Sequence, residues 1–196
     1  MMPVSLQEKW NAIYSGGLSR SLAPSRVLLE NTHLLPGSGM ALDLACGLGG
    51  NALLMAERGL AAHAWDISDI ALHALEKQAC GRGLEINTRQ CDVECGDLPQ
   101  ESFDVLVVSH FLCRALAPRI VSALKPGGLL FYQTYTTEKL AEEGPRNPDY
   151  LLKPGELISL FSALRPLYYR EDGIVGDLSL GWRNEAALVG IKSQIT

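Results

Sequence analysis

Long apolar runs are missing from this sequence. Nothing in its 196 residues approaches the length of a bilayer-spanning helix, and the opening MMPVSLQEKW holds no signal-peptide core. A cytoplasmic location away from membranes is therefore expected. Basic charge is also short: 17 Lys and Arg against 22 Asp and Glu leave a formal charge of −5, which argues against a general nucleic-acid or membrane surface. Cysteines number five, an odd count at irregular spacing, as expected of reduced thiols rather than a disulfide framework. Internal repeats and low-complexity segments are absent. A chain of this length is expected to form one domain over residues 1–196 and to bury a full core without staples.

What is present is an alternation of strand-like and helix-like runs. Residues 1–35 read as a helical segment, with Leu6, Trp10, Ile13 and Tyr14 at helical spacing and Pro24 opening a second helix. MALDLA (40–45) reads as a buried strand, NALLMAERG as a helix closed by Gly59, and LAAHAWD as a second strand. SDIALHALEKQACGRG is a helix with Ser68 as N-cap, and LEINTRQC a strand with one wetter face. FDVLVVSH has the continuous apolar character of a central parallel strand. PRIVSALKPGG is a helix that Pro118 starts and Pro126-Gly127 stops, followed by the strand LLFYQTYT. KPGELISLFSAL is a further helix, and PLYYRED and EAALVGIKS are two closing strands. The pattern predicts an α/β fold: a Rossmann-like, seven-stranded, mostly parallel sheet, helices on both faces, an antiparallel edge strand and added N-terminal helices.

In such sheets ligands bind beyond the carboxyl ends of the strands, so the residues there matter most. The first strand leads into Asp43 and the glycine loop Gly47-Leu48-Gly49-Gly50. The second ends on Asp66, the third on Cys91-Asp92-Val93, and the fourth on Ser109-His110-Phe111. Gly47, Gly49 and Ala52 also fit the dinucleotide loop G-x-G-x-x-A, a pattern of low specificity. A pyrophosphate, however, would not favour Asp43 four residues ahead of the loop. A ligand with an ammonium, a ribose diol and an adenine amine would accept all three carboxylates. Asp66 can take both ribose hydroxyls. Asp92 can accept from the exocyclic amine while the Val93 N–H donates to the ring. S-adenosylmethionine is that ligand.

The stretches LDLACGLGGNALLMAERG, AWDIS, CDVE, FDVLVVSHFL and LKPGGLLFYQTY resemble, in order, the successive motifs of class I S-adenosylmethionine-dependent methyltransferases. CGLGGNALLMAERG and LLKPGELISLF resemble the tellurite-resistance methyltransferase subgroup in particular. The resemblance implies S-adenosylmethionine as cofactor and a small-molecule methyl acceptor, with an anion or oxyanion among the options. It implies a cofactor set of Asp43 near the methionine, Ala45, Cys46, Gly47, Gly49 and Asn51 in the loop, Asp66 and Ile67 at the ribose, Asp92 and Val93 at the adenine, and Ser109 after the fourth strand. It places acceptor-side residues after that strand, where His110 and Arg114 stand. No Asn/Asp-Pro-Pro-Tyr follows FDVLVVSH, which argues against an adenine- or amide-type acceptor.

Each residue also has a plainer reading: Asp43 as a brace of the loop, Cys46 as a small packing residue, Arg114 and Arg146 as surface charges. Cys91, Cys95, His110 and Cys113 lack the tight pairing of a structural zinc site, so no metal is expected. Residues 136–152, with Gly144, Pro145 and Pro148 and the polar Arg146, Asn147 and Tyr150, are expected to form a lid over the acceptor. His110 is the first candidate base, and Arg114 and Arg146 are the clamps an anionic acceptor would need. An NAD(P)-dependent oxidoreductase and a non-catalytic cofactor-binding subunit are the alternatives. The expected assembly is a monomer or homodimer.

Overall fold

The computed structural model describes residues 5–16 and 22–194. The parts of the expected N-terminal helices at residues 1–4 and 17–21 lie outside these. The chain forms two compact units, Met1–Asp97 and Leu98–Thr196.

The first unit carries α1 (Leu6–Ser15), α2 (Arg26–Glu30), β1 (Met40–Leu44), α3 (Gly50–Glu57), β2 (Ala61–Asp66), α4 (Asp69–Gly81) and β3 (Ile86–Gln90). The three strands are parallel, Met40 pairing with Ala61 and Ala62 with Ile86. Alanines at 62 and 64 in β2 are fully buried, and Ala52, Leu53, Leu75 and Ala79 from α3 and α4 close over Ala64. Small side chains at these positions bring the helices close to the sheet. α1 is fixed at its start by a capping box, the Glu8 N–H donating to Ser5 Oγ and the Ser5 N–H to Glu8. α2 is shorter than the expected helix. The Asn31 amide donates to the Val27 carbonyl, and the chain then tightens into a 3₁₀ turn at Thr32–Leu34.

The second unit carries β4 (Phe103–Ser109), α5 (Ala117–Ala123), β5 (Leu124–Tyr135), α6 (Glu156–Leu160), β6 (Arg165–Arg170) and β7 (Glu185–Ile191). β4 and β5 are parallel, while β7 runs antiparallel to both β5 and β6. Within the first unit the strand order is β3-β2-β1, and within the second β4-β5-β7-β6. The antiparallel pair expected at one edge is thus β6 with β7, and β7 is its inner member. α5 ends at Ala123, five residues before the end of the expected helix at Gly128. Leu124 already pairs with Phe103, and the Gly127 N–H reaches the Lys192 carbonyl with Gly127 at φ +80°. The Pro-Gly pair therefore bends a strand rather than ending a helix. α6 starts only at Glu156 because Gly155 sits at φ +70°.

Candidate functional site

β1 delivers the chain into a loop with three consecutive odd positions in the left-handed region: Ala45 at φ +55°, Gly47 at +52° and Gly49 at +74°. That winding turns backbone N–H groups inward. The Gly47 N–H donates to Asp66 Oδ2 and the Ser68 N–H to Asp66 Oδ1, both at 2.8 Å. Asp66 closes β2 and is almost fully buried, so one carboxylate joins the glycine loop to the start of α4. The Ser68 hydroxyl then caps α4 by accepting from the Ala71 N–H. A Cβ on Gly49 would lie 2.5 Å from the Leu75 methyls, which explains glycine there.

α1 lies over the same place. Asn11 and Gln7 donate to Asp69 Oδ1 at 2.7 and 3.2 Å, and the Ser68 hydroxyl donates to Asn11 Oδ1. The Tyr14 hydroxyl stands so near Gly47 that an added Cβ would meet it at 2.6 Å. An open cavity of about 440 Å³ lies beside Ile67, with Gln90, Cys91 and Asp92 on one wall and Ser5, Leu6 and Gln7 on the other. That is a ligand-sized volume. Asp92 is half-buried and accepts from the Glu94 N–H, while Val93 is buried behind it.

Asp43 and Asn51 are engaged with the protein around the loop. Asp43 has no exposed surface; its oxygens accept from the Asn51 side chain at 3.2 Å and the Ala52 N–H at 3.1 Å. Asn51 in turn accepts from the Ser25 N–H. The pair braces the first turn of α3 from behind. Burial pushes the Asp43 carboxyl up to about 7, against the pull of its two hydrogen bonds. Burial, with the Asp43 and Asp66 carboxylates nearby, also raises the Cys46 thiol well above its ordinary value. The shift favours the neutral thiol at Cys46.

In the second unit β4, β5 and β7 bring together residues far apart in sequence. His110 follows Ser109, the last residue of β4, at φ +54°, its N–H held by the Gln133 carbonyl. Its Nε2 is 2.6 Å from Glu185 Oε1, and the Gln133 amide donates to Glu185 Oε2, also at 2.6 Å. The Tyr135 ring lies against the imidazole, centroids 5.1 Å apart. Glu185 is absent from the sequence expectations. Gln133, a polar residue in the apolar run LLFYQTYT, was the available hint, since a buried amide needs a partner.

Arg114 is engaged by protein groups. Its guanidinium donates to both Glu156 oxygens and to the Asp149 and Leu151 carbonyls, so its charge is already matched by the protein. It ties the turn at Arg114–Leu116 to residues 149–156. Segment 136–152 closes on itself through a bridge between Thr136 and Leu152. Arg146 lies on its outer side, 86% exposed and paired with Glu142. Among the described residues no group of three or more His, Cys, Asp or Glu side chains could hold a metal ion, and no helix is long and apolar enough to cross a membrane.

Residues 41–128 match the family model of a methyltransferase domain. Over that stretch, which is under half of the chain, the sequence is similar to a methyltransferase domain. A ubiquinone biosynthesis O-methyltransferase from Stutzerimonas stutzeri is 30% identical over 118 residues, 57% of this chain and 50% of the relative. The chain thus spans about half the length of that curated relative. TehB from Haemophilus influenzae shares the fold at a TM-score of 0.70, with 18% identity over 94% of this chain and 67% of its own. An S-adenosylmethionine-dependent methyltransferase from Mesorhizobium loti does so at 0.68, with 20% identity over 88% of this chain and all of its own.

S-adenosylmethionine is the cofactor such a domain implies, and its expected contacts Gly47, Asp66, Ile67 and Asp92 lie in the first unit. Ile67 and Asp92 line the cavity, and at Gly47 an added Cβ would clash with the Tyr14 hydroxyl. Each Asp66 oxygen accepts one backbone N–H, and a carboxylate oxygen can accept a second donor.

Proposed function

We propose that this chain transfers the methyl group of S-adenosylmethionine to a small-molecule acceptor, acting as a monomer or homodimer. The observation that carries the reading is Asp66, fixed by the Gly47 and Ser68 N–H groups beside a ligand-sized cavity. In this reading Asp66 holds the ribose hydroxyls, Ile67 packs on the adenosine, and Asp92 with the Val93 N–H reads the adenine edge. Asp43, Asn51 and Ser25 hold the loop in shape, with Ala45, Cys46, Gly47 and Gly49 forming its backbone. The bound cofactor supplies an electrophilic methyl group on a sulfonium, so the protein's task is to position the acceptor and exclude water.

On the acceptor side we place His110 and the 136–152 segment, while Ser109 keeps its expected cofactor role. The name of the Stutzerimonas relative supports an oxygen acceptor. An oxyanion, which the tellurite-resistance likeness would favour, loses support from the engagement of Arg114 with Glu156. Incubation with methyl-labelled S-adenosylmethionine and a panel of hydroxyl, thiol and oxyanion acceptors tests the proposal. Label should pass to at least one acceptor class. Tight S-adenosylhomocysteine binding with no transfer to any of them would point instead to a non-catalytic subunit.

A further inference from the structure

β3 is the outermost strand of the first unit, with β2 as its neighbour. The Cys91 N–H donates to the Asp66 carbonyl, and Asp66 is in register with Gln90, so the backbone groups of Asn87 and Arg89 face β2. Those of Ile86, Thr88 and Gln90 point away from the sheet and make no hydrogen bond among the described residues. Exposed edges are ordinarily blunted by proline, a bulge or charge. β6, at the end of the second unit's sheet, is blunted in this way: Pro166 lies within it, and its register with β7 shifts between Pro166 and Tyr168. β3 holds no proline and keeps one register with β2 over all five residues. Asn87 stands midway between two charges, Glu85 just before the strand and Arg89 within it. Strand alternation puts these three on the face away from α4, while Ile86 packs on the Ala79 cluster and Thr88 donates to Glu76 of α4. Glu85 makes no hydrogen bond or ion pair among the described residues. Arg89 makes no ion pair among them either; its guanidinium lies over the Trp65 ring, 4.7 Å from the centroid. An open cavity of about 450 Å³ follows the same edge, between Glu76, Ala79 and Cys80 of α4 and the start of β3.

We propose that β3 pairs antiparallel with β3 of a second copy of this chain, about a two-fold axis at Asn87. Such a contact is self-complementary, as a two-fold interface must be. In this register Ile86 stands opposite the partner's Thr88, and Thr88 opposite the partner's Ile86. Each of these pairs exchanges two backbone hydrogen bonds through groups that already point outward. Glu85 then faces the partner's Arg89, and Arg89 the partner's Glu85. These are non-hydrogen-bonded positions, where side chains approach most closely and opposite charges stabilise a pair. A centre at Thr88 is also compatible with the outward groups, but it sets Arg89 against the partner's Asn87 and leaves both charges unmatched. The charges therefore select Asn87 as the centre. The same pairing brings the partner's chain against the cavity beside α4. Nothing in it depends on the methyl-transfer reading.

Sedimentation equilibrium of the full chain should show a dimer forming in the tens of micromolar, the strength of a small interface. Glu85→Arg sets arginine against arginine at both ends of the junction, and Arg89→Glu sets glutamate against glutamate. Each single exchange should weaken the dimer about tenfold or more. The double exchange restores opposite charges and should recover the wild-type dissociation constant within about threefold. Thermal unfolding checks that each variant is folded, and recovery in the double exchange separates lost pairing from lost structure. The register is read by cross-linking. Asn87→Cys, oxidised with copper–phenanthroline, should join the two introduced thiols, whose Cα atoms are about 4.5 Å apart in this pairing. Thr88→Cys should not link to its own counterpart, which lies off the axis. A wild type that stays monomeric at those concentrations, a dimer indifferent to both single exchanges, or a double exchange that recovers nothing would each overturn the proposal. So would a cross-link formed through Thr88→Cys and not through Asn87→Cys.

Discussion

The two units hold their key carboxylates in opposite ways. Asp66 is gripped by backbone N–H groups from the residues just after β1 and just after β2. Glu185 is gripped by side chains, the His110 imidazole and the Gln133 amide, which stand 75 and 52 residues away in the chain. Backbone donors come with the turn that presents them, so the first arrangement is a local property of ALDLACGLGG and AWDIS. Side-chain donors depend on the register between strands, so the second exists only once β4, β5 and β7 are aligned.

The difference predicts unequal responses to mutation. The largest effect belongs to the loop itself. Gly49→Val combines a β-branched residue at φ +74° with contact at 2.5 Å to Leu75. Left-handed strain of about 1–2 kcal/mol and overpacking of about 1–3 kcal/mol add to roughly 3 kcal/mol. That corresponds to a Tm lower by roughly 6–12 °C. Thermal unfolding measures it directly, and an unchanged Tm would mean the loop is not the rigid half of the comparison.

A pH effect of intermediate size follows from the brace. Asp43 sits near 7 in the folded chain against an ordinary value of 3.8, so the folded state binds the extra proton between those limits. Stability from this group is therefore full below about pH 4 and is lost as pH rises through 7. Carboxyls held below their ordinary values, such as Asp172 beside Arg170 and Glu156 beside Arg114, act in the other direction and only at lower pH. Melting at pH 5 and pH 8 should show the wild type weaker at pH 8 and Asp43→Asn with a flatter dependence. Equal slopes in the two proteins would remove Asp43 as the cause.

The smallest effect is expected at Arg146. Its side chain is exposed and its partner Glu142 is more exposed still, a pairing of little energetic weight. Arg146→Ala should leave the Tm and S-adenosylhomocysteine affinity within error and change turnover less than about threefold. A tenfold loss of turnover alone would restore this residue to the acceptor and make the 136–152 segment a working lid.

The same contrast explains what could be read from the sequence. The strands, the glycine loop, the Ser68 cap and Asp66 were all legible because each depends on neighbours within a few residues. Ser5-Leu-Gln-Glu8 carried a capping-box signal that fixes where α1 begins. The seating of α1 was not legible, since Asn11 meets Asp69 across 58 residues. Arg114 was placed correctly after β4, but its partners Glu156 and Leu151 come from a later segment whose path no local pattern reveals. Asp43 was visible as a carboxylate beside the loop; that it faces inward follows from Asn51 and Ala52 folding back over β1.

Calorimetric titration of the full chain tests the central claim, comparing S-adenosylhomocysteine with NADH on the wild type and on Asp66→Ala. S-adenosylhomocysteine should bind the wild type at micromolar levels and NADH should give no heat. Charge-assisted hydrogen bonds of roughly 1.5–3 kcal/mol each would be lost in the variant, lowering affinity about tenfold to a hundredfold, and the ligand-free Tm falls as well because the Gly47 and Ser68 N–H groups lose their acceptor. Tight NADH binding, or S-adenosylhomocysteine affinity untouched by Asp66→Ala, would contradict the account.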